Sequence, residues 1–574
     1  MRRFFPALAS VWLVAQTASA QPAGGPPPAP PAPPAPTEAP KAGEPSEPPK
    51  NTQGSTALEV PEAPPAPPTA GQPSDGKLPP PPLPRAFPDE AALALRDPTT
   101  GESVAGWHNF FFIRDPDGNF RISPTGMFQL DFHGFAGANV DGIPRANGGA
   151  GLPPRFFARR LRFGFHGDFL KRWSFLGQFD IAPSVADGSG TDQLNSPPIG
   201  ADPSGDTARY RGVQGVDAGF GLRDAWVNYS LCPCLNFQIG QFQPPMTQEN
   251  RTYAQDLPLM ERSIATRSFV VPGQRESGLQ LWGDFGDDVF TYEIAVVGGD
   301  GQNRATVDSY PDVVGRFLVA PFKSFKLAKD IRFGVSGRHG QRDQLAVAYD
   351  VVPFTSNNGF VLWDPSYTDS EGRRVHVIPS GAQNTIGGEF LVPVGPVDVA
   401  GQAYYNAYRT REGIDGFQLT NTERLGALTG VGLTSWVTWW AFGDERIAGA
   451  TGRMKPSKLN LKRKAELKRG LEVTALFSAI LASYDGNSRA GEDDARTPGS
   501  ADSPATDINI FQFGGNLSYW HTRNVRMTFN YGLYLTPDSG TGENLAKVPG
   551  NLGPNADEGA ELLHEFGTRL QLFY

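Results

Sequence analysis

The sequence predicts an all-β fold: a transmembrane antiparallel β-barrel of about sixteen strands behind a disordered, proline-rich N-terminal segment. Three observations predict it. The first twenty residues read as an export signal. No later stretch has the roughly 18 uninterrupted apolar residues of a membrane helix, and mean hydropathy is −0.35. Short segments of alternating apolar and polar residues recur up to the last residue. An exported chain that enters a membrane without helices must do so as a closed barrel.

Residues 1–20 have the three regions of a secretory signal: Arg2 and Arg3, an apolar stretch from Phe4 to Val14, and Ala18-Ser19-Ala20 at the cleavage position. Residues 21–105 form the linker. Residues 21–90 hold 25 of the 54 prolines, so this stretch cannot build a core and should be extended and semi-rigid. It reads as a spacer, or more sharply as a periplasmic tether in contact with the cell wall. Residues 106–574 remain for the barrel. Of the formal net charge of −9, the leader carries +2 and the linker −5, which leaves the barrel mildly acidic. Net charge does not set the sign of a pore lumen, because acidic loops can surround a basic interior. Nothing in the chain predicts a nucleic-acid partner.

The barrel region opens with a hairpin over 107–124, where Asp115-Pro116-Asp117-Gly118 separates two apolar runs. The D-x-D-G spacing also suggests a calcium loop, but the ligand set is incomplete. Barrel strands follow over 126–574. They are expected near 126–138, 156–168, 173–183, 221–231, 235–243, 275–285, 289–299, 312–322, 330–339, 384–393, 396–408, 426–442, 469–483, 507–521, 525–535 and 564–574. Connections after even-numbered strands are mostly short and those after odd-numbered strands mostly long, the asymmetry of periplasmic turns and outer loops. The exception is the basic connection 443–468, with Lys455, Lys458, Lys462, Arg463, Lys464 and Lys468. Cys232-Pro233-Cys234 reads first as a turn; a disulfide is open in an exported protein, and zinc lacks its four ligands. Trp436, Trp439, Trp440, Trp520, Tyr531, Tyr534, Phe573 and Tyr574 suit interfacial girdles. The last six residues alternate, with Leu570, Leu572 and Tyr574 on one face and Arg569, Gln571 and Phe573 on the other. That is the pattern of a strand sealing the barrel against 126–138.

Several pieces of the chain stand out in order: Asp117-Gly118-Asn119-Phe120 and Gly126 to Asp131, then Arg159 to Gly167 and Arg172-Trp173-Ser174-Phe175. Asp224-Ala225-Trp226-Val227, Gly240 to Pro245, Met260-Glu261-Arg262-Ser263 and Arg275 to Leu279 follow, and Asn516 to Tyr531 closes the set. In that order they resemble the phosphate-selective porin O and P family of outer-membrane channels. The resemblance covers about Phe110 to Tyr574. It implies a sixteen-stranded homotrimeric porin in the Gram-negative outer membrane, in contact with lipid and passing small anions such as phosphate. Residues 244–274 resemble the inward-folded constriction loop, with Arg251, Arg262 and Arg267 against Glu249, Asp256 and Glu261. The family commonly ends in Phe where this chain has Tyr574, a residue expected to address the barrel-assembly machinery.

Strand phase supplies further candidates. If Leu161, Phe163 and Phe165 face lipid, Arg160 and Arg162 face the lumen, and the same logic turns Arg526 and Arg569 inward. A charge on the lipid face would cost about 2–4 kcal/mol at the midplane. Guanidinium groups suit phosphate oxygens through bidentate hydrogen bonds. The structural alternative is that each pairs with a carboxylate and braces the wall. Catalytic signatures are missing: the chain has no P-loop, no G-x-S-x-G elbow and no paired-Cys metal spacing beyond Cys232 and Cys234. No catalytic residue, metal site or cofactor is expected. The competing reading is a structural barrel tethered to the cell wall by its proline-rich arm.

Overall fold

The computed structural model describes residues 95–96, 103–108, 110–115, 119–137, 154–181, 221–269, 274–286, 288–303, 309–325, 328–342, 351–352, 354–357, 361–363, 367–368, 374–414, 425–443, 469–486, 488, 505–536 and 562–573. The expected leader, nearly all of the linker, the basic connection beyond Gly443, and Tyr574 lie outside the described residues.

Sixteen antiparallel strands close into a barrel. They are β1 (Phe120–Gly137), β2 (Arg155–Phe169), β3 (Trp173–Asp180), β4 (Gly221–Cys232), β5 (Leu235–Phe242), β6 (Glu276–Phe285), β7 (Phe290–Val297) and β8 (Asp312–Val319). The second half comprises β9 (Arg332–Arg342), β10 (Arg374–Val394), β11 (Val397–Ile414), β12 (Leu425–Phe442), β13 (Gly470–Asp485), β14 (Ala505–Thr522), β15 (Val525–Leu535) and β16 (Leu562–Phe573). Each pairs with the next, and β16 closes on β1 from Leu563↔Gly137 to Phe573↔Met127. Closure removes the free edge that lipid cannot hydrogen-bond.

Period-2 alternation decides which face meets lipid. Leu161, Phe163, Phe165, Met527, Phe529, Leu570 and Leu572 are all exposed, as a hydrocarbon solvent requires, while the polar residues between them are covered. Short turns lie on one end, such as Pro233–Cys234, where Cys232 and Cys234 form a disulfide. Gly395, at φ +56°, supplies the left-handed residue of the two-residue β10–β11 turn.

Two boundaries differ from the sequence reading. The opening hairpin is not separate from the barrel. Its first strand, 110–114, pairs with Arg121 and Ile122, and its second runs straight into β1, which begins at Phe120. Asp115 Oδ1 accepts the Phe120 N–H at 2.6 Å and fixes that corner. β10 starts at Arg374, ten residues earlier than expected. Val377 and Ile378 are both buried there, so alternation is lost where both faces are covered.

Several girdle aromatics also point inward. Trp439 faces lipid and is half exposed, but Trp436 and Trp440 are buried. Trp440, Trp520, Phe573, Met127 and Ala254 form one interior cluster. A larger apolar cluster joins Ile264, Ala265 and Phe269 to Tyr404, Leu428, Ile480, Tyr484, Ile508, Ile510, Tyr534 and Leu563. Part of the barrel interior is therefore packed like a soluble core, and the loop between β5 and β6 supplies the packing.

Candidate functional site

Pro244 and Pro245 follow β5, and neither has the N–H that would continue the ladder. The chain leaves the wall there and returns at Glu276. Between them lie α1 (Gln248–Arg251) and α2 (Ile264–Phe269). Hydrogen bonds trace the path of this loop across the interior. The Gln248 N–H binds Glu389 on β10, and Glu249 meets Gln402 on β11. Ser263 Oγ lies 2.9 Å from Thr434 on β12, and the Ile264 N–H reaches Gln512 on β14 at 2.9 Å. Leu257 O accepts from Arg526 on β15 at 2.8 Å, and Met260 O accepts from Arg569 on β16. The loop thus spans the lumen and docks on the opposite wall.

Small residues on that wall let the helix approach. A Cβ at Gly432 would sit 2.6 Å from the Phe269 ring and 3.0 Å from Ala265. Ile264, Ala265 and Phe269 are fully buried. A buried side chain of the size of Ile or Phe contributes about 1.5–3 kcal/mol. Arg267 extends the packing upward: it donates to Thr355 O and Ser356 O, each at 2.7 Å. This seats Phe354, from the β9–β10 connection, edge-on against Phe269 at 5.7 Å.

Charged groups fasten the other end. Glu261 accepts hydrogen bonds from both Nη atoms of Arg160 at 2.8 Å and from Nη2 of Arg569 at 2.5 Å, and forms an ion pair with Arg159, whose Nε lies 3.4 Å away. Arg569 also makes a two-pronged pair with Asp131 at 2.7 and 2.6 Å. Burial alone would raise the Glu261 carboxyl, but Arg159, Arg160 and Arg569 outweigh it and hold it well below the usual carboxylate range. Arg162 pairs with Asp180 at 2.6 Å. Arg526 stacks over Trp520 at 4.9 Å. All four wall arginines named from strand phase are thus buried and partnered, three of them by the loop.

The loop's own charges divide by role. Glu249 caps the start of α2, accepting the Ser263 N–H at 2.6 Å and the Ser263 hydroxyl at 2.7 Å. Arg262 ties Glu249 O, Thr252 O and Gln274 together, and burial, with Arg275 nearby, brings its guanidinium down to about 10. Arg251 differs: it pairs with Glu293 on β7 at 2.6 Å, yet its side chain stays 27 % exposed. Glu293 is shared with Arg316 on β8 at 3.3 Å, and Arg316 reaches Glu389 at 2.7 Å.

A cavity of about 260 Å³ lies between α1 and the wall of β8–β10. Arg251, Tyr253, Asp256, Arg316, Arg332 and Glu389 supply its polar lining. Sequence phase missed Arg159 because a bulge opposite Gln129 and Leu130 turns two successive arginines inward. It also passed over Arg316 and Arg332, although Val313, Phe317 and Val319 mark the lipid face of β8 as clearly as Leu161 and Phe163 mark that of β2. Among the described residues no group of three or more His, Cys, Asp or Glu is placed to hold a metal ion.

Comparison with solved structures finds several outer-membrane proteins. OmpT of Vibrio cholerae is 8% identical, with 79% of this chain and 98% of that one covered and a TM-score of 0.40. The outer-membrane channel DcaP of Acinetobacter baumannii is 12% identical, with 79% and 98% covered and a TM-score of 0.40. An anion-selective porin from Comamonas acidovorans is 10% identical, with 79% and 100% covered and a TM-score of 0.40. No curated protein matches the chain. The family model described as "Phosphate-selective porin O and P" matches residues 125–438, from within β1 through most of β12. With more than half of its length matched by that model, the chain belongs to the phosphate-selective porin O and P family.

Proposed function

We propose that this outer-membrane porin passes small solutes by passive diffusion through a path narrowed by the loop 244–274, with small anions such as phosphate favoured. The observation that carries the preference is the accessible charge beside α1. The Arg251 side chain is 27 % exposed, whereas its partner Glu293 is 10 % and Glu389 only 4 % exposed. Arg332 also lines the cavity. The Glu293 and Glu389 carboxylates are covered by the arginines they bind, which leaves Arg251 as the more accessible partner. Guanidinium groups attract anions into weak sites that still release them. The role of Arg160, Arg162, Arg526 and Arg569 is then to hold the wall and the loop in register, while Arg251 and Arg332 meet the solute. A signal over residues 1–20, a spacer over 21–105, trimer assembly and recognition of the last strand by the assembly machinery complete the proposal. Reversal potentials in a planar bilayer under a salt gradient, with chloride and with phosphate, test it. Anion selectivity that weakens in Arg251→Gln is expected; cation selectivity of the unaltered channel would overturn the preference.

A further inference from the structure

One connection on the short-turn end differs from its neighbours. Two residues suffice between β10 and β11, yet β8 and β9 are joined by 320–331. Backbone hydrogen bonds wind this stretch: the Phe325 N–H donates to Phe322 O at 2.8 Å, Ala328 to Phe325 O at 3.0 Å and Ile331 to Ala328 O at 3.0 Å. The winding leaves Phe322 and Phe325 39 % and 64 % exposed, with their rings edge to face at 6.3 Å. Exposed apolar groups placed together mark an interaction surface. This one continues the lipid face. Phe317 and Val319 end β8 and Phe333 stands at the start of β9, all exposed, and the rings of Phe285, Phe290 and Phe317 stack in a row across β6 to β8. The charge here is one-sided: residues 320–331 contain Lys323, Lys326 and Lys329 against the single acid Asp330. Lys329 is exposed, and Lys323 is held loosely, its Nζ 3.9 Å from Asp288 on the β6–β7 turn. Apolar rings at the edge of a hydrocarbon surface, with ammonium groups beside them, complement a lipid whose headgroup is anionic.

We infer that the β8–β9 connection is a docking site for anionic phospholipid in the leaflet at the short-turn end. Phe322 and Phe325 carry the apolar belt of the barrel to the level of the headgroups, and Lys323 and Lys329 receive the phosphate. The rings bind any phospholipid; the lysines make the site selective for negative charge. The site lies on the outside of the barrel and does not depend on which solute crosses the lumen.

The test uses the full-length protein in detergent and counts retained lipid by native mass spectrometry. The two probes, dioleoylphosphatidylglycerol and dioleoylphosphatidylcholine, share their acyl chains and differ in net charge. One lysine beside an anionic headgroup is worth about fivefold in affinity, and Asp288 offsets part of the share of Lys323, so phosphatidylglycerol should be retained at about tenfold lower concentration. Lys323→Gln with Lys329→Gln should bring the two lipids to within about twofold of each other. Phe322→Ser with Phe325→Ser should weaken both lipids alike and keep their ratio. A heat-modifiable gel shift confirms that each variant is folded. Equal retention of the two lipids by the unaltered protein would overturn the inference. So would a preference that survives the double lysine variant, because it would then arise elsewhere on the protein.

Discussion

Replacing Glu261 with glutamine removes the one carboxylate that three wall arginines share. Its partners Arg159, Arg160 and Arg569 are at most 3 % exposed, and so is Glu261 itself. The exposed-pair value of about 0–1 kcal/mol therefore does not apply. Breaking a buried pair costs about 3–5 kcal/mol, because the remaining charge is left covered and uncompensated. Glutamine keeps the volume and one acceptor oxygen, which places the cost near 3 kcal/mol, a roughly 150-fold shift between docked and undocked loop. The strand ladder does not pass through Glu261, so the barrel should stay closed and heat-modifiable. Single-channel recording is the assay. Glu261→Gln should open wider and with more current noise as the loop leaves the β16 side of the wall. Wild-type conductance and quiet open levels in a folded Glu261→Gln channel would refute the assignment of Glu261 as the fastening point. The pH dependence has a definite sign. A carboxyl held below its ordinary value gives its full stabilisation above that value, near 4.5, and loses it as pH falls through the lower folded value. Conductance of the unaltered channel should therefore be flat from about pH 8 to 5 and change only in stronger acid.

Leu570 is 41 % exposed on the lipid face of β16, between Leu130 and Met527. Leu570→Arg should cost about 2–4 kcal/mol, read by urea titration of folding into lipid vesicles. Arg267→Ala removes both bonds to the Thr355–Ser356 backbone. In a Ser356→Cys background it should speed labelling by a membrane-impermeant maleimide; unchanged labelling would show that the packing of Phe354 suffices. The disulfide encloses one residue, Pro233. Stabilisation by loop closure grows with loop length, so Cys232→Ser with Cys234→Ser should cost under about 1 kcal/mol in thermal unfolding.

The sixteen strands were legible because lipid imposes a strict rule on alternate residues, and Leu161-Arg162-Phe163-Gly164-Phe165 obeys it. The rule fails where lipid does not reach. Val377 and Ile378 lie near the start of β10, where both faces of the strand are covered, and carry no alternation. Phase also showed that Arg160 and Arg569 avoid lipid, but not what they bind. Their shared partner Glu261 is 101 residues from one and 308 from the other. No strand pattern encodes a pairing through a loop that crosses the lumen. Arg159 was hidden by a bulge. The inward turn of Trp440 and Trp520 was hidden because amphipathic aromatics suit a membrane interface and an interior cluster equally well.

The pocket that receives α2 has a bearing on biogenesis. Ile264 and Phe269 pack on Tyr404, Leu428, Ile480, Tyr534 and Leu563, contributed by strands up to β16. These contacts are far apart in sequence and form late, after much chain entropy has been lost. During insertion the β5–β6 segment has no wall to seat on, and an unfinished barrel carries an unobstructed lumen. Seating is rewarded in full only when the last strand meets the first, at the seam where Arg569 and Asp131 pair. One side chain, Arg569, thus pairs both with Asp131 across the closing seam and with Glu261 of the loop, so seating of the loop depends on closure of the barrel.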